Sequence, residues 1–438
     1  MTKIENTQSA DVIIVGGGLA GLTAATYLGR AGHKVLLFDK GKNMGGRART
    51  RAKGQYLFNM GAHALYRKGM AEKVLAELGV SFAGGMPNVG GYMVNGGQKY
   101  LLPAGALTLL STKGLGWRAK FEVAKLLGSI NRVDSKAIQH LTVQEWIEQR
   151  VSQPETQALL RALFRLSTYG NDPTRQSAEV AVAQFQMALS TNVYYLDGGW
   201  QTLVDGLQKA AEAANVSIMT SKTVTNVEMN DQQMVNGVKV SDGTVYPASA
   251  VMIAGSPTVA ANLLPNLTAI TQWAKEAIPV TAACLDLALK RLPEPKATFA
   301  VALDQPLYLS VHSAVAKLAP EEGAMIHLLK YLGPTGSNPE QDSQQLEAFA
   351  DLIQPGWRDE LIEKRFLPKM VASNRLVLAA QGGRAGRPQP TVPGIPNLFV
   401  AGDWVGSEGL LADTSFASAK QAATLCMQHL SQNQSSLK

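Results

Sequence analysis

Residues 11–40 read DVIIVGGGLAGLTAATYLGRAGHKVLLFDK. The unbroken apolar run from Asp11 to Val15 predicts a strand. A tight turn follows, with glycines at Gly16, Gly18 and Gly21. A helix with small residues Ala20, Ala24 and Ala25 on its inner face comes next, then a second strand, Val35 to Phe38, and an acid at Asp39. This is the G-x-G-x-x-G dinucleotide fingerprint in its required setting of strand, turn, helix and strand. Gly16 permits the turn, Gly18 lets a pyrophosphate approach the backbone, and Gly21 lets helix and strand pack closely. Free N–H groups at the helix start hold the phosphate charge. Asp39 can accept hydrogen bonds from a ribose diol.

The chain has 438 residues, too many for one core, so two or more domains are expected. Charged residues make up 17% and apolar residues 46%, with no low-complexity tract, as in a globular and somewhat apolar protein. The net charge of +7 comes from scattered rather than blocked cations. That suits an anionic cofactor or lipid surface. It does not suit nucleic acid, since no basic cluster with interleaved aromatics occurs. Cys284 and Cys426 have no metal-ligand or CxxC spacing, and the six histidines are isolated, so neither disulfides nor a metal centre is expected. The start, MTKIENTQSA, is polar and lacks an apolar signal core, and no run nears the roughly 20 apolar residues of a spanning helix. A cytoplasmic protein is expected.

The first nucleotide-binding unit covers about 11–80. From 81 the texture changes to glycine-rich loops or a hairpin and then a mainly helical region. In LTVQEWIEQR (141–150), Thr142 and Glu145 have the spacing of a capping box. A helix from Leu203 to Ala214 and short strands through Gly255 fit a return to the nucleotide unit. Residues 277–333 alternate β-branched runs with turns and predict a second sheet. Residues 342–375 are expected to be helical, interrupted at Pro355-Gly356. In the tail, Thr391 is followed by six residues, the apolar run LFVA and Gly402-Asp403, then a glycine-bearing turn into a helix rich in small residues. The expected fold is α/β. A Rossmann-type cofactor domain is built from 11–80, 197–270 and 390–438, and is interleaved with an α+β substrate domain from 81–196 and 271–389.

Seventeen residues separate Gly21 from Asp39; Gly45-Gly46-Arg47 follows, and later the Thr391-to-Asp403 motif. This set resembles the flavoprotein superfamily of amine oxidases, protoporphyrinogen oxidase and phytoene desaturases, across nearly the whole chain. YLDGGWQTLVDGLQKAAEAANVSI (195–218), SDGTVYPASAVMIAG (241–255) and LFVAGDWVGSEG (398–409) look most like the phytoene desaturase branch and its bacterial relatives. The resemblance implies FAD. Arg47 and Arg49 would contact phosphate or flavin carbonyls, the strand around Val224 would hold the adenine, and Asp403 would bond the ribityl chain. The helix after Gly409 would point its N-terminus at the flavin pyrimidine, where reduction places negative charge. The residues expected to hold the cofactor are Gly16, Gly18, Leu19, Ala20, Gly21, Asp39, Lys40, Gly45, Gly46, Arg47, Gly61, Ala62, Val224, Gly402, Asp403, Gly409, Leu410 and Leu411. Cys426 lies well inside the last helix, so the FAD should be non-covalent. Two departures speak against amine oxidation. VTAACLDLAL (280–289) lacks the lysine that amine oxidases place near flavin N5, and Trp404 is the one aromatic immediately beside the tail motif. Asp39 stands where glutamate is commoner, and Asn59 where many relatives have an acid.

The resemblance implies hydride transfer between a substrate carbon and flavin N5, on a lipophilic, unsaturated, isoprenoid- or carotenoid-like molecule. Electrons would pass to oxygen or a quinone, as no second G-x-G-x-x-G offers a separate nicotinamide domain. A flavin amine oxidase, a protoporphyrinogen oxidase-like enzyme and a non-catalytic FAD-binding protein remain the alternatives. No acid–base dyad stands out. His63, Trp404 and His312 are candidates for a catalytic role, each set against simple packing; His327 is weighed the same way, and Tyr194, Tyr195 and Trp200 are a candidate cavity wall. Glu408 and Asp413 read as caps for the last helix. Within residues 101–130, Val123, Leu126, Leu127 and Ile130 share a helical face punctuated by Lys113, Arg118, Lys120 and Lys125. This segment either covers the core or dips into a bilayer surface as a peripheral membrane contact.

Overall fold

The computed structural model describes residues 9–88 and 90–436; the first eight residues of the polar N-terminal stretch lie outside them. The chain opens with β1 (Ala10–Val15), α1 (Leu19–Arg30) and β2 (Val35–Phe38). A hairpin of β3 (Thr50–Lys53) and β4 (Tyr56–Asn59) follows, then β5 (Leu65–Tyr66) and α2 (Met70–Glu77). After β6 (Gly84–Gly85), the hairpin β7 (Tyr92–Asn95) and β8 (Gln98–Leu101) leads into α3 (Ala106–Ser111), α4 (Trp117–Ser129), α5 (Val143–Arg150), α6 (Pro154–Thr168) and α7 (Ala178–Thr191). β9 (Val193–Leu196) returns the chain to α8 (Gln201–Ala213), β10 (Ser217–Met219), β11 (Val224–Met229), β12 (Val235–Val240), β13 (Val245–Ile253), α9 (Pro257–Leu263) and α10 (Thr268–Glu276). A second crossing gives β14 (Val280–Leu289), β15 (Phe299–Ala302), β16 (Leu307–Val311), β17 (Ala324–Tyr331), α11 (Pro339–Ile353) and β18 (Leu361–Ser373). β19 (Thr391–Val392), β20 (Ile395–Val400) and α12 (Ala412–Ser436) close the chain.

Two sheets organise the molecule. The parallel centre of the first runs β10-β2-β1-β13-β20. β13 is its joint: the C-terminal half pairs in parallel with β1 and β20, and the N-terminal half antiparallel with β12. Side chains alternate strictly across this centre. Val12, Ile14, Leu37, Met252 and Phe399 pack against α1, α8 and α12. Ile13, Val15, Leu36, Phe38, Val251 and Val400 pack against the β11–β12 layer and α9–α10. Continuous apolar strands such as VIIV and VLLF are what a parallel sheet covered on both faces requires.

The second sheet is mixed, in the order β18-β14-β17-β16-β15-β7-β8, with β15–β7 its one parallel pair. α11 covers one face with Leu346, Phe349, Ala350 and Ile353, and α4 and α6 cover the other. The expected helix over 342–375 is half right. α11 stops at Ile353, and residues 361–373 form a long strand instead. Pro368 has no N–H to donate and would break a helix there; in the strand, burial alternates residue by residue over 361–365. The capping box of α5 is present: Thr142 Oγ1 accepts from the Glu145 N–H, and the Glu145 carboxylate accepts from the Thr142 N–H. Among the described residues, no helix is long and apolar enough to cross a membrane.

Candidate functional site

A cavity of about 1260 Å³ runs from the glycine turn of the first sheet to the concave face of the second. Its first end is built by the turn between β1 and α1. Gly16 has φ +113°, and a Cβ there would lie 2.9 Å from the Ala254 carbonyl oxygen. A Cβ on Gly21 would fall 1.8 Å from the Gly16 oxygen, so only glycine lets α1 approach the strand. A Cβ on Gly18 would meet nothing within 4 Å; that space is cavity. The first turn of α1, with its unpaired N–H groups, faces it through Leu19 and Ala20. Asp39, at the end of β2, accepts from the N–H groups of Gly17 (2.7 Å) and Gly41 (2.6 Å), which fixes its carboxylate at the cavity wall. An open glycine, a helix N-terminus and an acid beside them fit the pyrophosphate and ribose of a dinucleotide.

Further along the wall, Arg47 donates to Asp403 at 2.8 Å. Asn374 holds the same carboxylate with its backbone N–H at 3.0 Å and its Nδ2 at 2.8 Å. Burial alone would raise the Asp403 carboxyl, but Arg47 and the Asn374 donors outweigh it and hold it below its ordinary value. Three chain segments, around 47, 374 and 403, thus meet on one side chain. The turn into α12 is held from behind by Arg387. Its guanidinium donates to Thr414 Oγ1 at 2.9 Å and to the carbonyls of Glu408 (3.3 Å) and Gly409 (3.0 Å). Burial lowers Arg387 to about 10, which leaves it charged at neutral pH. Asp413 does not cap its own helix as expected. Its Oδ1 accepts from the Ala71 N–H at 2.8 Å and so caps α2, docking α2 against α12. Burial raises its carboxyl to about 6.

The second end is an apolar chamber. Leu163 and Leu166 of α6, Tyr169 at its C-terminal cap, Phe185 and Leu189 of α7, Phe299, Tyr308 and Tyr331 of the second sheet, and Leu367 and Met370 of β18 wall it. Between the two ends sits His63, its Nδ1 2.8 Å from the Gly61 carbonyl and its ring 4.8 Å from that of Trp200. Burial lowers His63 to about 4, so it is neutral at pH 7. Trp200 is set by Asn59, whose Oδ1 accepts from the Trp200 N–H (3.1 Å) and from Thr50 Oγ1 (2.7 Å). Asn59 in turn is anchored by Arg365, which donates to its backbone carbonyl and to Asp286. Cys284, Asp286 and His327 lie within 4.8 Å of one another, a spacing that could suit a metal. The Asp286 carboxylate is already shared between His327 Nδ1 at 2.5 Å and Arg365 Nη2 at 2.5 Å. Burial would raise Asp286, and these two partners turn the shift downward. The cluster ties the hairpin β3–β4 to the second sheet.

Of the residues singled out from the sequence, Gly16, Gly18, Leu19, Ala20, Asp39, Lys40, Gly45, Gly46, Arg47, Ala62, Val224, Gly402, Asp403, Leu410 and Leu411 line this cavity, with Arg49, His63, Tyr195 and Trp200. Gly21, Gly61 and Gly409 are not on the wall; they let their neighbours pack. Trp404 faces away from the cavity. It is fully buried under the sheet and donates to the Gly255 carbonyl at 2.9 Å. His312 is buried behind Tyr195, stacked on its ring at 3.7 Å, and neither it nor His327 reaches the wall. Sequence reasoning missed Asn374, Arg387 and all of β18, which supplies Leu367, Lys369, Met370, Val371 and Ala372. The expected helix over 342–375 hid the last group; Pro368 was the signal. Lys369 is a lysine on the cavity wall, carried by the strand next to β14 rather than by β14 itself.

Residues 19–283 match the model of the flavin containing amine oxidoreductase family. The chain is 22% identical over 276 residues to 4,4'-diaponeurosporene oxygenase of Staphylococcus aureus, covering 55% of this chain and 54% of that protein; it spans about half the length of such curated relatives. Putrescine oxidase bound to putrescine superposes with a TM-score of 0.76 at 15% identity, over 96% of this chain and all (100%) of the other. A putative protoporphyrinogen oxidase from Exiguobacterium sp. 255-15 gives 0.71 at 16% identity, over 97% and 100% of the two chains. At such identities the structural matches speak for the fold.

Proposed function

The chain belongs to the flavin-containing amine oxidoreductase family, and we propose that it binds FAD non-covalently and moves a hydride between flavin N5 and a carbon of a lipophilic, unsaturated substrate of isoprenoid or carotenoid type. The cofactor domain comprises 11–80, 197–270 and 390–438, and the substrate domain 81–196 and 271–389. FAD, when bound, supplies the two-electron chemistry. The chain's own residues bind, orient and exclude water. Gly18 and the α1 N-terminus take the pyrophosphate, and Asp39 the adenosine ribose. Arg47 and Asp403 set the middle of the cofactor. The first turn of α12, braced by Arg387, lies where negative charge would develop. His63 is a neutral hydrogen-bonding group beside the site rather than a cation.

The observation that carries the substrate class is the chamber. The acids on the cavity wall are Asp39, Asp403 and Asp413, and each is already bonded to the chain's own donors, while aromatic and aliphatic side chains make up the far end. Asp39 and Asp403 have both carboxylate oxygens engaged, and Asp413 leaves one, Oδ2, unpaired; apolar surface rewards a hydrocarbon by roughly 25 cal/mol per Å² buried. Oxygen or a quinone is the electron acceptor. Amine oxidation is the second reading, favoured by the family and by Lys369 on the wall. Anaerobic bleaching of the bound flavin separates the two. Polyenes should bleach it, and amines and porphyrinogens should not; bleaching by amines alone would overturn the substrate class.

A further inference from the structure

The helices α3 and α4 have two unlike faces. Inward, Leu109, Leu115, Ala119 and Val123 join the apolar cluster that also contains the chamber residues Tyr308 and Tyr331. Outward, Leu107, Leu110, Trp117 and Phe121 are 83%, 72%, 75% and 71% exposed, the four most exposed large apolar side chains among the described residues. They are not scattered. Leu107 and Leu110 share one face of α3, and Trp117 and Phe121 one face of α4. Lys120 Nζ donates to the Leu110 carbonyl at 2.6 Å and holds the two helices together. A monomer that left this surface in water would carry an unrewarded apolar patch.

Within the two helices and the turn between them, cations outnumber acids, and Glu155 of α6 stands at the start of α4. Residues 106–129 contain Lys113, Arg118, Lys120 and Lys125 against the single acid Glu122. Glu122 is half-buried and accepts from the N–H groups of Ser152 (2.8 Å) and Gln153 (3.0 Å). The guanidinium of Arg118 stands 5.3 Å from the centre of the Trp117 ring. Apolar side chains with an aromatic at their centre and lysines and arginines beside them match the boundary between acyl chains and anionic headgroups. A second copy of the chain would bring like charges together at the same patch. The patch also lies on the outside of the chamber. Leu102, four residues before α3, lines the cavity, and Leu189, exposed at the surface, lines it as well.

We propose that α3 and α4 dock this protein on an anionic phospholipid bilayer, with Leu107, Leu110, Trp117 and Phe121 below the headgroups and Lys113, Arg118 and Lys125 among them. Delivery of substrate from that bilayer rests on the lipophilic substrate class proposed above; the docking itself does not.

The test uses the full chain and vesicles of phosphatidylcholine with and without phosphatidylglycerol. Flotation should carry about tenfold more protein with the anionic vesicles, and added salt should reduce it. The variant L107S/L110S/W117S/F121S should stay in solution with its flavin content and thermal midpoint unchanged. K113Q/R118Q/K125Q should lose the preference for anionic vesicles. The other tryptophans are buried or half-buried, so fluorescence that shifts to the blue on vesicle addition, and no longer does so in W117F, reports insertion of this patch. Wild-type protein that ignores anionic vesicles, or a serine variant that floats equally well, would overturn the proposal. So would a wild-type dimer in solution that the serine variant abolishes without any vesicle binding. A colourless protein that still floats would refute the flavin assignment and leave the docking surface standing.

Discussion

Asp403 shows how one side chain can serve both fold and site. It joins Arg47 and Asn374, and its removal would leave a guanidinium without a counter-ion and two donors without an acceptor. Asp403→Ala should raise the dissociation constant for FAD tenfold or more, the equivalent of about 1.4 kcal/mol, with the second sheet intact by far-ultraviolet circular dichroism. Flavin titration of the apoprotein checks this, and unchanged affinity would remove Asp403 from the site. Asp413 makes a prediction about pH. Its folded-state carboxyl titrates near 6, above its value in an unfolded chain, so the folded state holds the extra proton between roughly pH 4 and 6. This group's contribution to stability is therefore full below that window and falls as pH rises through it. Asp413→Asn keeps an oxygen for the Ala71 N–H and removes the charge. It should flatten the thermal midpoint across the window and add on the order of 2 kcal/mol above it; a midpoint that tracks wild type would contradict the assignment. The first fingerprint was legible residue by residue, because Gly16, Gly21 and Asp39 act within a short stretch whose geometry the chain itself dictates. Asn374 and Arg387 were not. Their partners lie on segments distant in sequence, and nothing in their neighbours distinguishes them from surface polar residues.

At the scale of elements, the turn before α12 depends on Arg387, which is buried and satisfies two carbonyls and a hydroxyl. Arg387→Leu would leave those acceptors unpaired, at about 1–3 kcal/mol each in a dry site. The expected result is a lower melting point and faster loss of flavin, with α12 still helical. A variant with unchanged flavin off-rate would show that the turn holds its shape unaided. β18 teaches the other lesson. Its apolar residues were visible, but the end of α11 and the start of a strand were read as one interrupted helix. Pro368 argued otherwise, and the long pairing of β18 with β14 supplied the context that local pattern lacked. Because β18 lines the cavity, misreading it hid Leu367, Lys369, Met370, Val371 and Ala372 on the wall, a lysine among them. The last helix, the Thr142–Glu145 box and the strand–turn–helix opening were legible because each is specified by neighbours a few residues apart.

The whole molecule is a weave. The first sheet draws its strands from residues 10–38, 217–253 and 391–400, and the second from 92–101 and 280–373. The chain therefore crosses between them repeatedly, and the cavity forms where the crossings converge. That the sheets interleave was legible from the return of nucleotide-type motifs at the end of the chain. The shape of the chamber was not, since it arises from side chains of six helices and strands that meet only in the folded state. The account stands on that cavity holding one dinucleotide. The most direct test is the flavin content of the purified protein, measured from its visible spectrum and from the supernatant after acid precipitation. One FAD per chain, yellow when native and released into the supernatant on denaturation, is the expected result. A colourless protein that takes up no FAD when it is supplied, or a flavin that stays with the precipitated chain, would contradict it.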